Sequence, residues 1–147
     1  MRFEGTLNII APREKVWKFL TDAEFVSRCA PGVKEMEVVI PEKKYLAVAS
    51  VGFGSVVAVF KTDIEFQEFK ELEFAKVRAH GTAPGSAVDA TSEMLLTDGV
   101  DGSTDVKWTA DIVIVGNIAS IASRLMGSIT KKLTHMFFDC VKKQIEA

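Results

Sequence analysis

An α+β fold is predicted, in which a curved seven-stranded antiparallel sheet wraps around one long C-terminal helix, with two short helices after the first strand. Three observations carry this prediction. Apolar residues alternate with a period of two from Val33 to about Val115. The period changes to three-and-four from Ile118 onward. Two stubby helical patterns, closed by Pro31-Gly32, separate the first strand from all the others.

The first strand sets Phe3, Gly5, Leu7 and Ile9 on one side and Arg2, Glu4, Thr6 and Asn8 on the other. "APREKVWKFL" then places proline where a first helical turn accepts it, with Val16, Phe19 and Leu20 on a shared face. Asp22 can cap a second helix, "AEFVSRCA", which Pro31 and Gly32 terminate. Turn signals at Pro41-Glu42, Gly52 to Gly54, Lys70-Glu71, Ala83 to Gly85 and Asp98 to Gly102 divide the next stretch into six strands, a meander with short connections. "SVVAVFKTDIEFQEFK" would span roughly 50 Å at about 3.3 Å per residue, so its strand must bend or bulge. Asn117 is the expected N-cap of the last helix, along which Ile118, Ile121, Ala122, Leu125, Ile129, Leu133, Met136, Phe137, Cys140 and Val141 share one face. At about 28 residues that helix is roughly 42 Å long and can lie along the whole sheet, covering its apolar face. One end between helix and sheet stays open, and the two short helices are placed to close it. The chain, residues 1–147, is expected to form one domain, since 147 residues with 48% apolar content suffice for one core and are short for two.

The inward faces of the strands carry many small side chains: Ala58, Ala75, Ala79, Gly81, Ala90, Ser92 and Ala110. A sheet built only to pack against a helix would fill that face with larger groups. Either the helix sits close against it, or an apolar pocket remains. Gly127, in the middle of the helix, costs about 1 kcal/mol relative to alanine, which either a close neighbour or room for a ligand would explain. For a pocket, the expected ligand-binding residues are Phe60, Met94, Trp108, Ile112, Leu125, Met126 and Ile129, with Phe25 and Cys29 in the lid.

Composition narrows the function classes. Eighteen basic against twenty acidic side chains, a net charge of -2, argue against nucleic acid as a partner. Cys29 and Cys140 fit neither a zinc spacing nor a disulfide framework, so they are expected to be buried thiols in a reducing, cytoplasmic compartment. The amino terminus shows no export signal, and no window reaches the 18 or so apolar residues of a membrane span. The lysines of "KKLTH", with Lys142 and Lys143, offset the helix dipole or touch anionic lipid at a membrane surface. His80 and His135 lack metal-motif spacing, and "GFGS" at 52 to 55 lacks the third glycine of a dinucleotide fingerprint. No catalytic residue, metal ligand or cofactor is expected.

Several segments are similar to a known family. "FEGTLNIIAPREKVWKFLTDAEFVSRCAPGVKEME", "VGFGSVVAVFKTDIEF", "STDVKWTADIVIVGNIASIASRLM" and "FFDCVKK" resemble the carbon monoxide dehydrogenase G-subunit family over nearly the whole chain, most specifically at Pro31-Gly32 and from Ala110-Asp111 to Gly116. The resemblance implies the helix-grip (START-like, SRPBCC) fold, with a deep apolar cavity between sheet and terminal helix. It also implies a role beside a molybdenum hydroxylase and a cavity suited to a quinone or lipid. The long C-terminal extension of some relatives is missing from this sequence, which argues against their kind of membrane anchor.

The expected function is therefore non-catalytic binding or carriage of a hydrophobic small molecule, with dehydrogenase subunits as partners. Two alternatives are an enzyme of the polyketide cyclase or hydrolase kind, drawing on Ser92, Thr62 or Cys29, and an assembly or recruitment factor for the dehydrogenase.

Overall fold

The computed structural model describes residues 1–146. Among them, β1 (Arg2–Ile9) leads into α1 (Arg13–Leu20) and α2 (Ala23–Cys29). The strands β2 (Val33–Ile40), β3 (Lys44–Phe53), β4 (Val56–Lys70), β5 (Phe74–Ala83), β6 (Ser86–Asp98) and β7 (Thr104–Gly116) follow, and then α3 (Ala119–Glu146). The sheet order is β1-β7-β6-β5-β4-β3-β2, antiparallel throughout. Strands two to seven form the expected meander, and β1 returns to pair with β7, Gly5 opposite Trp108. Gly5 is required there by close approach: a Cβ would stand 2.9 Å from the Trp108 indole, which lies across the glycine.

The bend demanded by the 15-residue β4 is supplied by a register shift between Phe66 and Glu68. Two further shifts twist β2 against β3. Each unpaired residue turns the strand locally and adds to the curl of the sheet.

α3 lies along the concave face and serves two apolar clusters. Near its start, Ala122 and Met126 pack with Phe53, Ala58, Phe60 and Ile118. Near its end, Val141 and Ile145 pack with Ile9, Val16, Leu20, Leu96 and Val106. α1 joins the second group through Val16, Trp17 and Leu20. Phe19, expected on that face, is only partly buried and stacks on Phe25 of α2 at 5.3 Å. An aromatic ladder ties α1 to the sheet: Trp17 meets Phe69 edge-on at 6.0 Å, Phe69 stacks on Phe66 at 4.9 Å, and Phe66 meets Tyr45 at 6.0 Å.

Two expectations about ends and cysteines are corrected. α3 begins at Ala119, where the carbonyl of Ile118 accepts its first bond from the Ala122 amide (2.8 Å), while the Asn117 amide donates to Gly85. Asn117 therefore belongs to the turn. Cys29 and Cys140 are not free thiols. They form a disulfide between α2 and α3, their Cα atoms 5.4 Å apart, within the usual range for such a bond.

The Pro31-Gly32 break has a physical cause. Gly32 sits at φ +81, its carbonyl accepts from the Ser50 amide at 2.9 Å, and a Cβ on it would collide with the Ser50 carbonyl. Only glycine both turns left-handed and lets β3 come this close. Gly32→Ala is expected to lower the unfolding free energy by more than about 1 kcal/mol, read as an earlier midpoint in urea.

Candidate functional site

Beneath α2 the sheet is hollow. A cavity of ≈ 290 Å³ lies between the helices and strands β2 to β6. Leu20 ends α1 over it, and Ala23, Val26, Ser27 and Ala30 form the roof. The floor is Ala47, Ile64, Phe66, Ala75, Val77 and Ala79, with Ser92 and Met94 on β6 and Tyr45 at one end. Val33 and Met36 carry the wall to the free edge of the sheet at β2. The space exists because Ala23 and Ala30 face Ala47, Ala75 and Ala79, so methyl groups stand where larger side chains would meet.

At roughly 30 Å³ per water, the volume equals about ten waters. A hydrophobic ring system or a short stretch of acyl chain fits, whereas an entire membrane lipid does not. The polar atoms on the wall are few and largely committed: Ser92 donates to the Thr109 carbonyl at 3.0 Å, and Ser27 to the Glu24 carbonyl at 2.8 Å. Burial pushes the Tyr45 phenol above its ordinary value of 10.0, aided by the Glu42 and Asp22 carboxylates and opposed by a backbone hydrogen bond at Glu42. The phenol is thus neutral across the physiological range, a hydroxyl at one end of an apolar chamber. A group with a raised folded-state pKa adds stability that is complete below the unfolded value and is lost as pH climbs through the folded one. Stability is therefore expected to decline above pH 10, with a spectrophotometric phenolate midpoint above that of free tyrosine; Tyr45→Phe removes this alkaline decline.

The residues anticipated for the pocket are distributed otherwise. Met94 lines the cavity. Phe60, Ile112, Leu125, Met126 and Ile129 belong to the cluster that plugs the sheet beneath the first half of α3. Phe25 is half-exposed on the outside of α2, and Cys29 is buried in the cluster at the end of α3, with Val16, Leu20 and Val141. The hollow therefore faces α2, where a cavity along the terminal helix was expected. The roof residues and Tyr45 were not anticipated. Thr62 and Ser92, the hydroxyls considered for catalysis, are separated in role: Thr62 Oγ1 lies 3.0 Å from where a Gly81 Cβ would be, and Ser92 lines the chamber.

Trp108 borders a different concavity, an open groove of ≈ 910 Å³ between β1 and α3. Its floor includes Phe3, Leu7 and Phe138, the last 6.1 Å from Trp108 between ring centres, and its rim carries Lys131, Lys132 and Lys142. Gly127 opens onto this groove. A Cβ there would meet nothing within 4 Å, so close packing does not explain the glycine. Though larger, the groove is open to solvent and edged by lysines, whereas the lining of the chamber under α2 is almost wholly apolar and better suited to remove a hydrophobic molecule from water.

His80 Nδ1 lies 2.7 Å from an Asp89 carboxylate oxygen on the outer face of the sheet, and His135 pairs with Asp139 at 3.2 Å along α3. Neither lines the chamber. Among the described residues no cluster of side chains could hold a metal ion, and no helix is long and apolar enough to cross a membrane.

The sequence profile of the carbon monoxide dehydrogenase G subunit (CoxG) matches residues 5–146. A comparison with curated proteins returned no match. Among solved structures, a conserved protein from Geobacillus kaustophilus is similar at 27% identity and TM-score 0.91, covering 99% of this chain and 95% of that one. The Zhui aromatase/cyclase from a Streptomyces species follows at 15% identity and TM-score 0.75, over 99% and 93% of the two chains. A START superfamily protein from Mycobacterium smegmatis has 10% identity and TM-score 0.70, over 99% and 97%. At these last two identities the likeness concerns the fold, the START-like helix grip.

Proposed function

Since the chain belongs to the CoxG family, that of the carbon monoxide dehydrogenase G subunit, we propose that it binds a hydrophobic small molecule, quinone-like or lipid-like, beneath α2 and carries it unchanged, as an accessory to a dehydrogenase of the molybdenum hydroxylase type. The observation that carries this reading is the chamber itself: an unfilled space walled by alanines, methionines and aromatic rings. Leaving such a space without a guest forfeits dispersion contacts along its apolar walls, and an apolar guest restores them. The chamber's volume selects the part of the guest that enters. A ring or short chain is enclosed, and a longer tail leaves along the free edge of β2, past Val33 and Met36. Contact of the lysine-bearing α3 with an anionic membrane surface fits the same role, because a cargo of this kind partitions into membranes.

The test is extraction of the purified protein with organic solvent, mass spectrometry of the extract, and titration of the stripped protein with short-tailed quinones and with fatty acids. A stoichiometric hydrophobic compound, or saturable uptake in the micromolar range, is the expected result. Repeated recovery of protein with no such compound, together with no uptake from either series, overturns the proposal.

A further inference from the structure

The helix that roofs the chamber buries little of its own surface, and one covalent bond crosses from it to α3. Of the seven residues of α2, Cys29 alone is buried. Phe25 stacks on Phe19 of α1 and lies under the Arg28 guanidinium at 5.0 Å. Arg28 in turn pairs with Glu24 on the same helix, and Asp22 caps it locally. These contacts shape α2 itself; beyond them it rests on α1, α3 and the start of β2 through side chains that are only partly buried. Val26, which points at the sheet, meets the hollow. By contrast α1 is anchored by Trp17 through the aromatic ladder, and α3 buries Ala122, Met126, Val141 and Ile145. An element with so few buried contacts opens at low free energy unless something else restrains it.

That restraint is covalent. Cys29 is bonded to Cys140, one residue from the fully buried Val141, so the loosest helix is tied to a firmly seated part of α3. The left-handed Gly32 just beyond α2 and the short link to α1 at Thr21 and Asp22 provide the two ends about which the helix can swing.

We propose that the Cys29–Cys140 disulfide is a redox latch on the chamber: oxidised, it holds α2 closed, and reduced by a dithiol, it lets α2 lift so that the guest enters or leaves. The exchange of guest rests on the binding function proposed above; the movement of α2 does not. Chemically, a thiolate of the dithiol attacks Sγ of Cys140, the more exposed of the two cysteines, and forms a mixed disulfide while Cys29 departs as thiolate and takes up a proton. The second thiol of the reductant, as thiolate, then attacks the mixed disulfide and releases Cys140, which is protonated in turn. The protein gains two electrons and two protons, and the reductant becomes a disulfide. Both thiols are small and apolar enough to remain in the cluster they already occupy.

The test compares the full chain in its oxidised form, the same protein reduced with dithiothreitol and verified by thiol counting, and a C29S/C140S variant. Hydrogen exchange is followed for amides 23–30, and the uptake rate of the neutral fluorophore N-phenyl-naphthylamine is followed by stopped flow. Reduction is expected to speed the fast, local exchange of α2 about tenfold or more and to raise the uptake rate similarly, while β6 and β7 exchange only through global unfolding, accelerate with the loss of global stability and remain the slowest amides. Reoxidation should restore both, and the variant should behave as the reduced protein with or without dithiothreitol. Unchanged exchange in α2 after verified reduction overturns the latch, as does an α2 that exchanges at the same rate as β6 and β7 in the reduced protein, which would make the bond a general stabiliser with no local opening. So does recovery of two free thiols after treatment with diamide. Faster local exchange in α2 with no fluorophore uptake in either state supports the moving helix and counts instead against the binding function.

Discussion

Ala79→Phe is expected to weaken binding of a hydrophobic ligand about a hundredfold, or about 2.7 kcal/mol, while leaving the thermal midpoint within a few degrees of the parent. Ala79 is on the chamber floor, beside Ile64 on β4 and Ala90 on β6. Adding a ring to a filled core usually costs about 1–3 kcal/mol through off-rotamer side chains and backbone shifts. Here the ring enters space that is vacant, so the two effects separate: affinity falls because the guest and the new ring compete for one volume, and stability holds because nothing must move aside. Calorimetric or fluorescence titration gives the first quantity, and a melt gives the second. A large drop in the midpoint would mean that position 79 is packed. Unchanged affinity would place the ligand elsewhere, with the groove beside Trp108 the first place to look.

The second large effect concerns the crosslink as a constraint on the unfolded chain. Cys29 and Cys140 are 111 positions apart, so the bond closes most of the polypeptide into a loop. Closure of a loop of this length removes denatured-state entropy worth as much as about 4.7 kcal/mol, and measured gains commonly fall at 2–4 kcal/mol. The C29S/C140S variant should therefore melt roughly 6–12 °C below the oxidised protein, taking about 3 kcal/mol and 2–4 °C per kcal/mol for a chain of this size. The same shift should appear when the parent is melted under reducing conditions. Coincident melts for oxidised and reduced protein would mean that the bond leaves the unfolded ensemble unconstrained.

Much of this fold was legible in the order of the residues, because periodicity reports directly which side of an element is buried. Val106, Trp108, Ala110, Ile112 and Ile114 lie on the inner face of β7, and the bend in β4 was implied by its length. The alanines of β5 also face inward, as their alternation indicated. What alternation cannot reveal is which helix lies above which part of a sheet. Ala58 and Ala75 look alike in sequence, yet Ala58 is covered by the large residues of α3 and Ala75 borders the hollow under α2. The candidate residues on α3 therefore fell in filled core. The disulfide was illegible for a related reason, since no local pattern marks two cysteines that only the docking of α2 on α3 brings together. Gly127 did announce something unusual, but the open space beside it became apparent only once the groove had a shape.

The return of β1 to the far edge of the sheet has a kinetic consequence. Asn8 meets Ser103 across 95 positions, and Arg2 meets Asp111 across 109. These are among the longest loops the chain can close, and closing them yields little until the partner strand exists. On the ribosome, β1 must wait until almost everything after it has been synthesised. The meander from β2 onward can assemble by successive hairpins meanwhile, leaving the seating of β1 as a late step, one that slows folding toward the millisecond-to-second range typical of non-local β topologies.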